Sequence, residues 1–140
     1  MIKFRKLPEN IETLLPKAEA YLQSRPDVLF AYLFGSLTKG KPRPLSDADI
    51  AVCLSEGQDS TETKMEILGD LADILKTDEI DLVILNSASL PLRMRILKNK
   101  IIMADNAPFA RHSYESLTMR MYFDFSKLEK QILERRFLHG

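Results

Sequence analysis

The stretch FGSLTKGKPRPLSDADIAV, Phe34 to Val52, decides how this chain is read. A small-residue pair, Gly35-Ser36, follows directly on an apolar run. A polar loop with Pro42 and Pro44 comes next. Two aspartates, Asp47 and Asp49, then lead into a second apolar run. Side chains alternate along a strand, so Asp47 and Asp49 project to one face, with Cα atoms roughly 7 Å apart. Ile50 and Val52 share the other face and are available to the core. Two carboxylates this close repel each other and favour a cation between them. Oxygen-only ligands suit Mg²⁺, which takes one or two carboxylates together with phosphate oxygens and water.

Gly35-Ser36 supplies a complementary element. Glycine lets a backbone approach a ligand closely. A turn from a strand into a helix N-terminus presents N–H groups to an anion, and Ser36 adds a hydroxyl. One sheet end would then hold a phosphate cradle beside a carboxylate pair.

The flanking sequence supplies the elements. Ile11 to Ser24 reads as a helix, with Leu14, Leu15, Ala18 and Leu22 at helical spacing and Asn10 as its N-cap. Val28 to Phe34, VLFAYLF, is a short apolar and aromatic run of strand length. Asp49 to Leu54 is a second strand. Glu62 to Lys76 is a helix with Met65, Leu68, Leu71, Ala72 and Leu75 along one face. Ile80 to Leu85 is a third strand and carries Asp81 at its start. If that strand neighbours the second, three carboxylates converge. Leu90 to Lys98 is a short helix with Pro91 in its first turn, and Ile101 to Met103 a short edge strand. From Pro108 to Leu138 the pattern is helical, with a break expected near Asp124 to Ser126. Phe123, Phe125, Leu128 and Ile132 on that segment serve either the core or a partner surface, and the core is the expectation. The sum is a small α/β or α+β sheet domain spanning 1–140, with 108–138 a C-terminal helical segment.

Bulk properties narrow the function. The chain has 140 residues, 45% hydrophobic and 29% charged, enough for one ordinary core. Lys+Arg and Asp+Glu both number 20, which speaks against a binder of long nucleic acid, since such proteins carry a basic excess. The single cysteine, Cys53, excludes an internal disulfide and is read as a small apolar core residue. No signal-like N-terminal segment is visible, and no apolar run approaches the roughly 18 residues of a membrane span. The expectation is a cytoplasmic protein without membrane contact. Lys39, Lys41 and Arg43 read as a solvated loop, Arg93, Arg95 and Arg111 as structural or surface cations, and His112 and His139 as surface residues.

GSLTKGKPRPLSDAD resembles the Gly-Ser, ten residues, Asp-x-Asp signature of the DNA polymerase beta-like nucleotidyltransferases. With the EIDLVIL strand, LRMRILKNKIIM and the tail RHSYESLTMRMYFDF, the chain is similar over nearly its whole length to the minimal nucleotidyltransferase (MNT) antitoxins, which pair with HEPN toxins. The resemblance implies a small mixed sheet flanked by helices. It also implies that Gly35 and Ser36 bind the phosphates of ATP, that Asp47 and Asp49 hold Mg²⁺, and that Asp81 completes the metal site and acts as or orients the general base. The implied reaction is transfer of AMP to a tyrosine of a HEPN toxin, in a hetero-oligomer with it. Two other readings stay open: a nucleotidyltransferase acting on a small molecule of the aminoglycoside kind, and a non-catalytic antitoxin that works by occlusion.

Overall fold

The computed structural model describes residues 11–35, 38, 48–58 and 60–138. Among the described residues four strands form one sheet: β1 (Val28–Phe34), β2 (Ala48–Leu54), β3 (Ile80–Ile84) and β4 (Ile101–Asp105). The order is β3-β2-β1-β4. β1 runs antiparallel to both β2 and β4, whereas β2 and β3 are parallel. Parallel neighbours need a crossover, and α2 (Thr61–Leu75) supplies it. The sheet is therefore mixed, as expected.

Helices cover both faces. α1 (Ile11–Ser24) and α2 lie on one. Ile11, Leu14, Ala18 and Leu22 of α1 and Ile67, Leu71 and Leu75 of α2 cluster with Ile50, Val52 and Leu54 of β2 and Leu82 and Ile84 of β3. The alternation in β2 assigns Ala51 and Cys53 to the opposite face. There they join Phe30, Tyr32, Phe34, Leu85 and Ile96, with α3 (Leu90–Lys98) and the start of α4 (Pro108–Leu138) contributing Leu92, Leu97, Ala110 and Tyr114. Cys53 is buried, as its reading as a core residue requires.

Most boundaries fall within a residue or two of the sequence reading. β2 begins at Ala48, because the Ala48 N–H donates to the Glu79 carbonyl (2.8 Å) and so enters the ladder one residue early. β3 ends at Ile84, where Leu85–Ser87 turn into a 3₁₀ segment. β4 extends to Asp105 through its pairing with Phe30.

Two expectations fail. α4 is one continuous helix through Asp124, Phe125 and Ser126, with no break. No proline or glycine interrupts that stretch, and its other residues are helix-compatible. Phe123, Phe125, Leu128 and Ile132 do not enter the core; all four are exposed, because the helix runs past the edge of the domain. No helix among the described residues is long and apolar enough to cross a membrane.

Asn86 ties the 3₁₀ turn to the end of β2. Its side-chain oxygen accepts from the Leu54 N–H (2.9 Å) and its amide donates to the Leu54 carbonyl (2.8 Å). Leu54 is buried, so Asn86→Ala should strand two backbone groups and cost about 1–3 kcal/mol. Denaturant unfolding should show the loss as a lower midpoint with an unchanged slope.

Candidate active site

The site is set by three strand ends in register. β1 finishes at Phe34 and the chain turns through Gly35 at φ +77°. A Cβ built on Gly35 would run into the Asp49 carboxylate oxygen and lie 2.9 Å from its Cγ. Glycine is therefore needed twice, for the left-handed backbone and for the carboxylate that rests against it. Thr38 closes the turn by donating its hydroxyl to the Gly35 carbonyl (2.6 Å).

Across the ladder Phe34 pairs with Asp49, and Asp49 pairs with Asp81. Paired residues on neighbouring strands, about 4.8 Å apart, point to the same side of the sheet. Asp49 and Asp81 thus stand side by side on the face that also carries Phe34, Ala51 and Val83. Asp49 is half-buried against the turn, while Asp81 is exposed. The convergence expected of a third strand beside the second is present for these two carboxylates. Ser36 and Asp47 lie outside the described residues, as do Asn10, Lys39, Lys41, Arg43 and His139.

β3 is an edge strand, and a groove of about 510 Å³ runs along its open side. Asp81 lines it, together with Ser60, Thr61 and Lys64 of the α2 start and Ser89 and Leu92 of the α3 start. Ser60 and Ser89 are occupied as N-caps, accepting from Thr63 N (3.1 Å) and Leu92 N (3.4 Å) respectively.

Arg93 and Arg111 are engaged elsewhere. Arg93 donates Nε to the Ala88 carbonyl (2.9 Å) and lies over the Tyr114 ring. Arg111 pairs with Asp105 (2.9 Å) and Glu115 (3.3 Å). Arg95 and His112 are exposed. The sequence reading did not single out Thr38 or the cluster around Glu115. Tyr32, fully buried, donates to Glu115 (2.5 Å), and burial foremost, then this bond, pushes its phenol well above the ordinary range. The signal for that cluster was weak: a tyrosine in an aromatic strand and a glutamate in a charged helix, 83 residues apart.

A strand, a glycine turn and carboxylates in register on the next two strands define a class. The chain belongs to the polymerase beta nucleotidyltransferase family, described as "Polymerase beta, Nucleotidyltransferase", whose model matches residues 16–108. It is a nucleotidyltransferase of polymerase beta-like fold. Among curated proteins none matches the chain. Solved structures agree over nearly the full length. A toxin–antitoxin MntA–HpeT mutant is 28% identical with a TM-score of 0.64, covering 92% of this chain and 97% of the other. A toxin–antitoxin structure with AMP-PNP is 26% identical with a TM-score of 0.65, covering 91% and 97%. A tri-AMPylated Shewanella oneidensis HEPN toxin in complex with an MNT antitoxin matches at 23% identity and a TM-score of 0.65, covering 88% and 96%, and adds likeness of fold. The resemblance to MNT antitoxins drawn from the motifs is met by these matches.

Proposed function

We propose that this chain is an antitoxin that transfers AMP from ATP to a tyrosine hydroxyl of a HEPN toxin and so silences it. The observation that carries the reading is the register of Asp49 with Asp81 beside the Gly35 turn. The family supplies the reaction class. ATP as donor is supported by the AMP-PNP-bound relative, and the partner by the toxin–antitoxin relatives.

The roles follow from chemistry. Asp49 and Asp81 offer oxygen-only donors on one face, which suits a hard divalent cation such as Mg²⁺, and Asp47 would join them. Mg²⁺, when bound, supplies charge neutralisation at the triphosphate and eases deprotonation of the nucleophile. The Gly35-Ser36 turn would bind the phosphates through backbone N–H groups and the Ser36 hydroxyl. Asp81, exposed and lining the β3 groove, would accept the proton of an incoming hydroxyl. The new bond joins the tyrosine oxygen to the α-phosphorus. The bond from that phosphorus to the oxygen bridging to the β-phosphate breaks, and pyrophosphate leaves. A phenol of pKa near 10 needs only a modest base. The added phosphate places negative charge on the toxin, which opposes RNA binding.

Toxin incubated with this protein, ATP and Mg²⁺ should gain about 329 Da per AMP unit, from the stoichiometry of the transfer, and lose RNase activity. The loss should persist after the two proteins are separated. Inhibition that vanishes on separation without added mass would make occlusion the mechanism, and modification of an aminoglycoside instead would move the chain to the small-molecule class.

A further inference from the structure

β3 is an outer strand of the sheet, and among the described residues nothing pairs with its far side. The Ala48 N–H donates to the Glu79 carbonyl, so Glu79, Asp81 and Val83 turn their backbone groups toward β2. Peptide groups alternate in direction along a strand. The N–H and C=O groups of Ile80, Leu82 and Ile84 therefore point outward. Such a row is a template for another strand, and proteins blunt it with a bulge, a proline, a charge or a covering side chain. The other outer strand, β4, is blunted in this way. Its register against β1 is irregular, and the Gln23 amide donates to the Met103 carbonyl (3.1 Å). β3 has an unbroken register against β2 and no proline, and its one charge is Asp81, at the proposed reaction centre.

This open edge lies along the groove of about 510 Å³. The α2 start walls the groove on the face that carries Leu82 and Ile84, and the α3 start on the face that carries Asp81 and Val83. Of the residues lining it only Lys64 and Asp81 are charged, one toward each wall. Lys64 has no ion-pair partner among the described residues. Glu66 is turned instead to Arg25 (2.8 Å), and Glu62, two positions before Lys64, does not share its side of the helix.

We propose that the acceptor tyrosine is presented in an extended peptide segment that pairs with the outer edge of β3 as an added strand. The inference rests on the tyrosine transfer proposed above and adds how the acceptor is recognised. The groove reaches Asp81, so its occupant lies against the residue assigned the proton. Outward N–H and C=O groups at strand spacing are matched by an extended backbone, with pockets for alternate side chains setting specificity. A tyrosine opposite Asp81 points to the α3 wall, and residues an odd number of positions away point to the α2 wall. β2 leads into α2 and runs parallel to β3, so α2 starts at the Ile84 end of β3. An acidic side chain about three residues from the tyrosine then meets Lys64.

The test uses the full-length chain with ATP, Mg²⁺ and the HEPN-domain protein encoded beside it, and a synthetic peptide of about nine residues around whichever tyrosine gains mass. The peptide should accept AMP. N-methylation of its backbone should abolish transfer at every second position near the tyrosine and leave it unchanged at the positions between, because only alternate N–H groups face β3. Lys64→Glu should raise KM for the peptide by about tenfold or more, with kcat and AMP-PNP affinity unchanged. A peptide with lysine in place of its acidic residue should restore the KM of that variant. Loss of the alternation, or an unchanged KM in Lys64→Glu, would overturn the added strand and leave the proposed reaction standing. So would a full-length acceptor that is modified while its peptide stays untouched at roughly millimolar concentration, since recognition would then belong to a folded surface. A chain that binds AMP-PNP yet modifies no tyrosine would overturn the function proposed above and this inference with it.

Discussion

Asp49→Asn and Asp81→Asn should each slow AMP transfer by about 10³-fold or more while leaving the fold in place. Both carboxylates face one side of the sheet in adjacent register, and the proposed reaction brings the charge of a triphosphate to that side. Loss of several kcal/mol of transition-state charge stabilisation, at tenfold per 1.36 kcal/mol, gives that magnitude. Asparagine keeps the shape, so the contact with Gly35 survives. Like charges side by side on a sheet are destabilising by a few tenths to about 1 kcal/mol, so Asp81→Asn should unfold at the same or a higher temperature than the wild type. The two should then part company. Asp49→Asn should weaken binding of AMP-PNP with Mg²⁺, whereas Asp81→Asn should keep most of it and lose the transfer step. Calorimetry together with single-turnover rates separates them. Wild-type rates in either variant would remove the assignment, and equal loss of nucleotide binding in both would make Asp81 chiefly a ligand.

Much of this architecture could be read in advance because its signals are local. VLFAYLF is too short and too aromatic for a surface helix, and it forms β1 as expected. IDLVIL carries no breaker and becomes β3, shortened only where Leu85 turns to meet the Asn86 clamp. The carboxylate pairing needed one inference beyond local pattern: that the helix between β2 and β3 acts as a parallel crossover. That places Asp49 opposite Asp81. What escaped was long-range. Nothing near Gly35 in the chain says that the Asp49 side chain fills the space where a Cβ would sit. In α4, Phe123, Phe125, Leu128 and Ile132 left core and partner surface both open, and the preference for the core fails. Phe125 and Leu128 continue a core-facing seam, but the core ends at Thr118. A helical pattern marks an apolar face without saying whether the domain's own core reaches far enough to bury it.

Gly35→Ala is expected to impair both stability and catalysis, and a double variant can say why. The backbone term comes from φ +77°, a conformation that costs an L-residue about 1–2 kcal/mol. A second term arises because the new methyl must displace the Asp49 carboxylate. A displacement on the order of 1 Å at a reacting centre can cost about 10²-fold in rate, so Gly35→Ala should be slow even when fully folded. Gly35→Val should be worse, since a β-branched residue tolerates positive φ least. In an Asp49→Ala background the carboxylate is gone and only the backbone term survives. Gly35→Ala should therefore cost less stability there than in the wild type, with a coupling on the order of 0.5–3 kcal/mol, as contacting residues show. Chemical denaturation of the four proteins measures it. Equal cost in both backgrounds would mean that the turn moves aside without touching Asp49. The glycine would then serve phosphate approach alone, and Gly35→Ala should cut AMP-PNP affinity as strongly as it cuts the rate.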